Sequence, residues 1–319
     1  MVRLGENIKP FLFLFSLIIF LLYNKILTIY DKSIKSNIMT LIDHLDPDYK
    51  KEFPEFIYHY TKFENFLKIL ESKTFYLFSS DQMNDYKENI AIREVLKNVI
   101  NQKKLNIPDD HLKKLNEFME NKTNKGITYI SCFTELRDSL SQWWGYGDNG
   151  NGICLVIDPK NLEIEYNLSS QPIESCLLFH NVIYSKEEQE KLIEEMLKFA
   201  FAYSDNSDNN EYFILLLKEL IDIFAPIFKV NEFKDEKEWR IIYLTMIDSR
   251  TDFGFIPTHN NLKLYFPLII DEAKFINSVK GVILGPKNII PHPYTEISIL
   301  LKRYGFENTK IEKSNIPYR

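Results

Sequence analysis

The stretch FIYHYTKFENFLKILESKTFYLFSS, residues 56–80, decides the predicted fold. Residues 55–60 are rich in aromatic side chains, which is typical of a strand. Apolar side chains then recur at the spacing of one helical face, at Phe63, Phe66, Leu67 and Leu70. Thr61 stands just before that face and is placed to cap the helix. Since TFYLFSS predicts a second strand, a strand–helix–strand unit opens the folded part of the chain.

The rest of the chain changes irregularly between strand-like and helix-like segments. Strand patterns occur at 126–135, 153–157, 176–185, 238–244, 262–270 and 276–287. Helical patterns occur as a pair within 87–121 and again at 186–203 and 210–229, and residues 295–314 predict a helix and a final strand. This order predicts an α+β fold, a single mixed-sheet domain with helical insertions, over residues 39–319.

Composition excludes several classes of protein. The net charge of −6 argues against general nucleic-acid binding, which usually needs a basic surface. Neither a GxGxxG nor a GxxxxGK[ST] motif occurs, so a Rossmann fingerprint and a P-loop are both unsupported. Cys132, Cys154 and Cys176 are widely spaced and form no zinc motif, so no metal is expected. An odd number of cysteines favours a reducing compartment.

The N-terminal segment 1–38 is a separate region that is strongly apolar. Pro10–Tyr23 carries no charge, and with its extension to Tyr30 the segment is long enough to span a bilayer. It is an uncleaved anchor, a signal-peptide core or an upstream extension, and the absence of a small-x-small cleavage site weakens the second interpretation. We expect an inner-membrane anchor with a cytoplasmic domain, or a cytoplasmic protein if translation starts at Met39.

His59 is the first candidate for chemistry. In a strand, His59 and Thr61 point to one face, while Tyr58 and Tyr60 point to the other. A lone histidine in an apolar strand is more often a core residue. Beside the N-terminus of a helix, however, this pair could hold the hydroxyls and phosphates of a nucleotide.

Glu238 and Arg240 form the second candidate, in the segment KDEKEWRIIY. They alternate with Trp239 along a predicted strand and therefore share a face. One interpretation is a surface ion pair, which would contribute little. The other is a carboxylate held in a cleft and oriented by the guanidinium.

The third candidate is the segment QWWGYGDNGNG, residues 142–152, which contains adjacent tryptophans before a glycine-rich loop. Adjacent tryptophans usually include a core residue. Because Trp143 and Trp144 cannot both point inward, one of them is predicted to face a cleft, where its ring would stack on a base or a nicotinamide.

Taken together, these segments resemble a bacterial family of unknown function, DUF2971. The resemblance is carried by four motifs, at Tyr58–Tyr60, Asn84–Glu88, Cys132–Gly152 and Lys234–Arg240, and it extends over about residues 55–319. It is specific as a family assignment and implies little about activity.

A more distant resemblance suggests a function. The segment IYHYTKFENFLKILESKTFYL is similar to the opening of DarT-type DNA ADP-ribosyltransferases and, more loosely, to the His-x-Thr start of poly(ADP-ribose) polymerases and RNA phosphotransferases. This resemblance implies that His59 holds the adenosine ribose of NAD and that Glu238 polarises the nicotinamide ribose. It makes Tyr76 or Trp143 the candidate for stacking on nicotinamide, and Arg240 the group that orients Glu238 or meets the pyrophosphate. One departure is that no serine-x-serine segment precedes Glu238.

Three function classes follow from these observations. The first is an NAD-dependent ADP-ribosyltransferase that modifies an unknown protein or nucleic-acid acceptor, in phage defence or a toxin system. The second is a non-catalytic nucleotide-binding or sensor domain that uses the same cleft. The third is a membrane-tethered interaction protein or effector that depends on Pro10–Tyr30. Fold-level analogy alone does not choose among them.

Overall fold

Strands and helices of the chain follow one another in mixed order. The computed structural model describes residues 52–80, 88–102, 109–120, 127–162, 175–204, 210–245, 253–257 and 262–318. Within them, strands β1 to β10 are Ile57–Thr61, Thr74–Ser79, Ile127–Thr134, Ile153–Ile157, Ser175–Asn181, Glu238–Thr245, Gly254–Pro257, Leu262–Ile269, Val279–Leu284 and Lys310–Lys313. Helices α1 to α9 are Phe63–Ser72, Glu88–Gln102, Asp109–Glu120, Leu140–Gly145, Pro159–Leu162, Lys186–Ser204, Asn210–Phe224, Glu272–Ser278 and Pro293–Arg303.

All ten described strands belong to one mixed sheet. Its main path runs β10-β9-β4-β1-β3-β2-β8-β7, and β6 pairs with β3 and β5 off this path. Strands β9 and β10 are parallel, while the other pairs named here are antiparallel. The predicted α+β class, a single mixed-sheet domain, is confirmed.

Strand β3 is the branch point of the sheet. Along one edge it pairs with β6 over its whole length, from Ile127 to Thr134. Along the other edge it pairs with β1 at Thr134 and with β2 at Tyr129 and Ile130. Residues 131–133 lie between these two contacts, where β1 and β2 separate. A gap therefore opens in the sheet beside the middle of β3.

Both faces of the sheet are covered by apolar side chains, and alternation along the strands assigns each residue to a face. Trp239 and Ile241 pack in the core that also contains Phe133. Helices α2, α3, α6 and α7 pack against the other face, where Ile242 points. Tyr58 and Tyr60 pack with Trp143 in a third, smaller cluster. The predicted alternation of β1 and β6 is thus present.

The start of α1 and the predicted membrane anchor differ in how far the structure describes them. Thr61 is not the helix cap, because β1 extends through it and the residue at the N-cap of α1 is Lys62, which makes no side-chain capping bond. None of the helices in the described ranges combines the length and the apolar character that a bilayer crossing requires. The predicted apolar segment Pro10–Tyr30 lies outside those ranges.

Gly152 is required where β4 meets the end of β1, and its replacement gives a testable result. A Cβ atom at Gly152 would lie 2.3 Å from the carbonyl oxygen of Thr61 and 2.9 Å from the backbone of Gly147. We expect Gly152→Ala to destabilise the fold by about 1–3 kcal/mol, since backbone atoms cannot move aside cheaply. Urea denaturation measures this. Gly145→Ala is the control, because a Cβ there meets nothing within 4 Å; equal losses in both variants would contradict the prediction.

Candidate functional site

A cavity of about 340 Å³ lies at the gap beside β3. Its walls come from β1, β2, β3 and β6 and from one side of α1, with the end of α4 also contributing. Its volume is in the range of small-molecule sites in proteins. His59 of β1 and Glu238 of β6 both line it, although they are 179 positions apart in the chain.

His59 occupies the place where β1 leaves β3. Its Nδ1 is 2.9 Å from the carbonyl oxygen of Cys132, one of the β3 residues in the gap. Because a carbonyl oxygen only accepts hydrogen bonds, Nδ1 carries the hydrogen. Burial lowers the pKa of His59, an effect larger than the opposing one of the Cys132 carbonyl. The neutral ring therefore presents Nε2 as an acceptor, suited to a ligand hydroxyl.

Glu238 and Arg240 form a buried, two-pronged ion pair. Arg240 Nε donates to Glu238 Oε1 at 2.8 Å, and Arg240 Nη2 donates to Oε2 at 2.9 Å. Arg240 Nη1 donates to the carbonyl oxygen of Pro226 at 2.6 Å. The two side chains are 9% and 2% exposed. The pair is thus no surface ion pair, and its geometry is the planar fork by which arginine holds a carboxylate.

Lys229 extends this pair into a cluster of four charges. Its Nζ is 2.6 Å from Glu236 Oε2 and 3.2 Å from Glu238 Oε2. The hydroxyl of Tyr146 donates to Glu236 Oε1 at 3.3 Å. Two carboxylates and two cations therefore balance each other at the cavity wall, which lowers the cost of burying them.

The two cations of the cluster keep the Glu238 carboxylate ionised. Burial by itself would raise the pKa of Glu238, but Arg240 and then Lys229 outweigh burial and lower the pKa to about 2. Burial by itself would lower the pKa of Lys229, but the negative charge of Glu238 outweighs burial, so the pKa of Lys229 is raised. Glu238 is a carboxylate and Lys229 an ammonium across the physiological pH range.

The register of the strands places His59 and Glu238 on different faces of the sheet. Tyr58, Thr134 and Glu238 are directly paired across β1, β3 and β6 and share one face. His59 emerges on the opposite face, where its ring contacts Phe133 and Phe75 at 5.3 and 5.7 Å between centroids. Only because β1 and β2 separate does one cavity border both side chains.

Three other cavity-lining side chains are polar, buried and without a hydrogen-bond partner among the described residues. They are Thr61, Ser131 and Gln142, each 5% exposed. A buried polar group without a partner costs about 1–3 kcal/mol. Among the described residues, the hydroxyl of Tyr129 is the one polar side-chain atom that is both inaccessible to solvent and without a hydrogen-bond partner. It follows that the polar atoms of these three side chains are not closed off from solvent. The space that they face is the cavity, because all three residues line it.

Most of the residues predicted for the site meet at this cavity. His59, Thr61, Tyr76, Glu238 and Arg240 all line it. The ring of Tyr76 already stacks on Tyr265, with centroids 4.3 Å apart.

Trp143 is not one of the residues that line the cavity. It is fully buried, packs edge-on against Tyr60 and donates its indole N–H to Asp138 at 2.7 Å. The prediction that it stacks on nicotinamide is therefore not supported by its position. Its neighbour Trp144 is 71% exposed and is not among the cavity-lining residues.

Sequence reasoning did not assign a role to Lys229, Glu236, Tyr146 or Gln142. Glu236 was recognisable, since it precedes Glu238 by two positions in EKEWR. Lys229 ends an apolar run and carries no sequence signal that distinguishes it from a surface lysine. The burial of Gln142 follows from the short helix α4, which turns Trp143 into the core beside it.

The fold and the site define an α+β protein with a charged, partly apolar cavity at a branch point of its sheet. Residues 142–241 match the model of a family described as "Protein of unknown function (DUF2971)", which confirms the predicted resemblance over that segment. The match includes Gln142, Lys229, Glu238 and Arg240, while β1 and α1 lie outside it. Neither a curated protein nor a solved structure matches the chain.

Proposed function

We propose that the cavity binds NAD and that the protein transfers ADP-ribose from it to a macromolecular acceptor. The observation that carries this proposal is that His59 and Glu238, from strands far apart in the chain, line the same cavity. An ionised carboxylate and a neutral imidazole are the two groups that the resemblance to ADP-ribosyltransferases requires.

The chemistry follows from the charge that develops on the ribose. When the bond between the nicotinamide nitrogen and the ribose C1′ breaks, positive charge builds on the sugar, and nicotinamide leaves with the bonding electrons. The Glu238 carboxylate, fixed by Arg240 and Lys229, would stabilise that charge without having to reorganise. A nucleophilic atom of the acceptor then attacks C1′ and loses its proton to solvent water. His59 Nε2 would accept a hydrogen bond from a hydroxyl of the adenosine ribose.

A phosphate-contacting end completes this arrangement. Lys62, Asn65 and Lys68 line the cavity along one face of α1. The two lysine ammonium groups and the Asn65 amide would meet the pyrophosphate of NAD.

A second function, nucleotide binding without catalysis, is favoured by a different observation. Both oxygens of Glu238 already accept hydrogen bonds from Arg240, and Oε2 also accepts one from Lys229. A carboxylate so fully occupied has little capacity left for a ligand and would then serve to hold β6 and the cavity wall in place.

Calorimetry with NAD and an assay of released nicotinamide separate the two functions. Wild-type protein should bind NAD and release nicotinamide, more rapidly when cell lysate supplies an acceptor. His59→Ala should weaken NAD binding by about tenfold, the effect of one lost hydrogen bond to a buried group. His292→Ala, at the N-cap of α9 and outside the cavity lining, is the matched control. Binding without release would favour the second function, and absence of binding would contradict both.

A further inference from the structure

Gln142 is one of the buried polar groups of the cavity for which the proposed reaction supplies no role. It lies in α4, directly before the fully buried Trp143, so its backbone position is fixed by the core. Its side chain is 5% exposed, and no described residue donates to its amide or accepts from it. An amide that is buried yet open to the cavity is suited to a ligand group.

The contacts of the residues next to Gln142 show that it lies near the charged cluster of the cavity. The backbone N–H of Tyr146 donates to the carbonyl oxygen of Gln142 at 2.9 Å, so the two residues lie one helical turn apart. The Tyr146 hydroxyl contacts Glu236, and Lys229 joins Glu236 to Glu238. Gln142 thus lies one helical turn from a residue that contacts the carboxylate cluster.

The chemistry of a glutamine amide restricts the ligand group. It offers one N–H donor beside one C=O acceptor, and its complement is a group with an adjacent acceptor and donor. A primary carboxamide has this pattern, and so does the edge of adenine. A carboxylate does not, since it has acceptors alone.

We propose that Gln142 recognises the carboxamide of the nicotinamide ring through a pair of hydrogen bonds and makes the cavity selective for NAD over its acid analogue. Gln142 Nε2 donates to the carboxamide oxygen, and Gln142 Oε1 accepts from the carboxamide N–H. The assignment rests on the proposed function, because it takes the ribose beside Glu238 to be the one that carries nicotinamide. With a carboxylate in that place, Oε1 would face an oxygen with no hydrogen to share.

The test compares three dinucleotides by calorimetry: NAD, nicotinic acid adenine dinucleotide and nicotinamide hypoxanthine dinucleotide. Wild-type protein should bind NAD at least about tenfold more tightly than the nicotinic acid form, the discrimination expected of a buried two-bond pair. Gln142→Leu keeps the volume and removes both hydrogen bonds, so this ratio should fall by about fivefold or more. Ser131→Ala is the matched control, a polar-to-apolar change elsewhere in the cavity lining, and should leave the ratio unchanged.

Each other outcome has a distinct meaning. If NAD binds and Gln142→Leu retains the wild-type ratio, the assignment is wrong while the proposed function stands. If Gln142→Leu instead removes the preference for NAD over the hypoxanthine form, the amide recognises adenine, and the carboxamide assignment is again wrong. If wild-type protein binds none of the three, the proposed function and this assignment fail together. A thermal melt of each variant shows that it is folded before its affinity is compared.

Discussion

Glu238→Gln is expected to lower the rate of nicotinamide release by about 10²–10³-fold, with a much smaller change in NAD affinity. The substitution keeps the shape of the side chain and removes the negative charge that the proposed transition state would need, and losses of this size accompany the removal of one preorganised electrostatic group. In bound NAD the positive charge lies on the nicotinamide ring, and in the transition state it moves to the ribose. Because the carboxylate acts more strongly on the charge at the ribose, kcat should fall much more than KM changes. Steady-state kinetics with NAD as substrate measures both.

Two further variants make this result interpretable. Glu312→Gln removes a carboxylate that also pairs with an arginine, Arg137, but lies outside the cavity lining, and it should release nicotinamide at the wild-type rate. Glu238→Asp keeps the charge and shortens the side chain, so it should fold well and recover part of the lost rate. Equal rates for wild type and a folded Glu238→Gln would show that Glu238 is not catalytic and would favour nucleotide binding alone.

Arg240→Met should destabilise the fold by about 3–5 kcal/mol at pH 7. Arg240 is 2% exposed and makes both prongs of the pair with Glu238, so its loss leaves a buried carboxylate with Lys229 as its remaining ionic partner among the described residues. Breaking a buried pair from one side has effects of this size. Urea denaturation followed by circular dichroism gives the free energy of unfolding.

Lys198→Met is the control for this prediction. Lys198 pairs with Glu195 at 2.7 Å on the surface of α6, with the lysine side chain 60% exposed, so its removal should cost less than about 1 kcal/mol. A loss for Arg240→Met that is no larger than this would mean that the buried cluster contributes little to stability.

The pH dependence of the same comparison has a definite sign. The pKa of Glu238 is about 2 in the folded protein, below its ordinary value of 4.5. Its contribution to stability is therefore complete above about pH 4.5 and is lost as the pH falls from there towards 2. Because this contribution depends largely on Arg240, the difference in unfolding free energy between wild type and Arg240→Met should shrink over that interval. A difference that stays constant would contradict the assigned partner.

Local pattern predicted the elements of the fold better than their arrangement. The helix Phe63–Ser72 and the strand Ile153–Ile157 follow directly from apolar spacing and from glycine-rich boundaries. The gap beside β3 does not, because it depends on three strands that pair with β3 from distant parts of the chain. Alternation placed Glu238 and Arg240 together on one face, but no local signal could show that Lys229 joins them.

The position predicted for the Trp143 ring differs from the structure for the same reason, since it also depends on contacts with other parts of the chain. The sequence shows two adjacent tryptophans, and which of them is buried depends on the direction of the short helix α4 relative to Tyr60 and Asp138. Those contacts come from β1 and from the loop before α4. A prediction from the local sequence has no access to them.

The branch point at β3 also has a consequence for folding. His59 and Glu238 reach the cavity through strands that pair with opposite edges of β3, and their registers join residues 76 to 118 positions apart. Contacts of such long sequence separation form slowly, since the intervening chain must first close into a loop. Any partly folded form in which β3 is unpaired on either edge lacks one half of the cavity. NAD binding should therefore report the fully folded population alone, and added ligand should slow unfolding by stabilising the state in which both edges of β3 are joined.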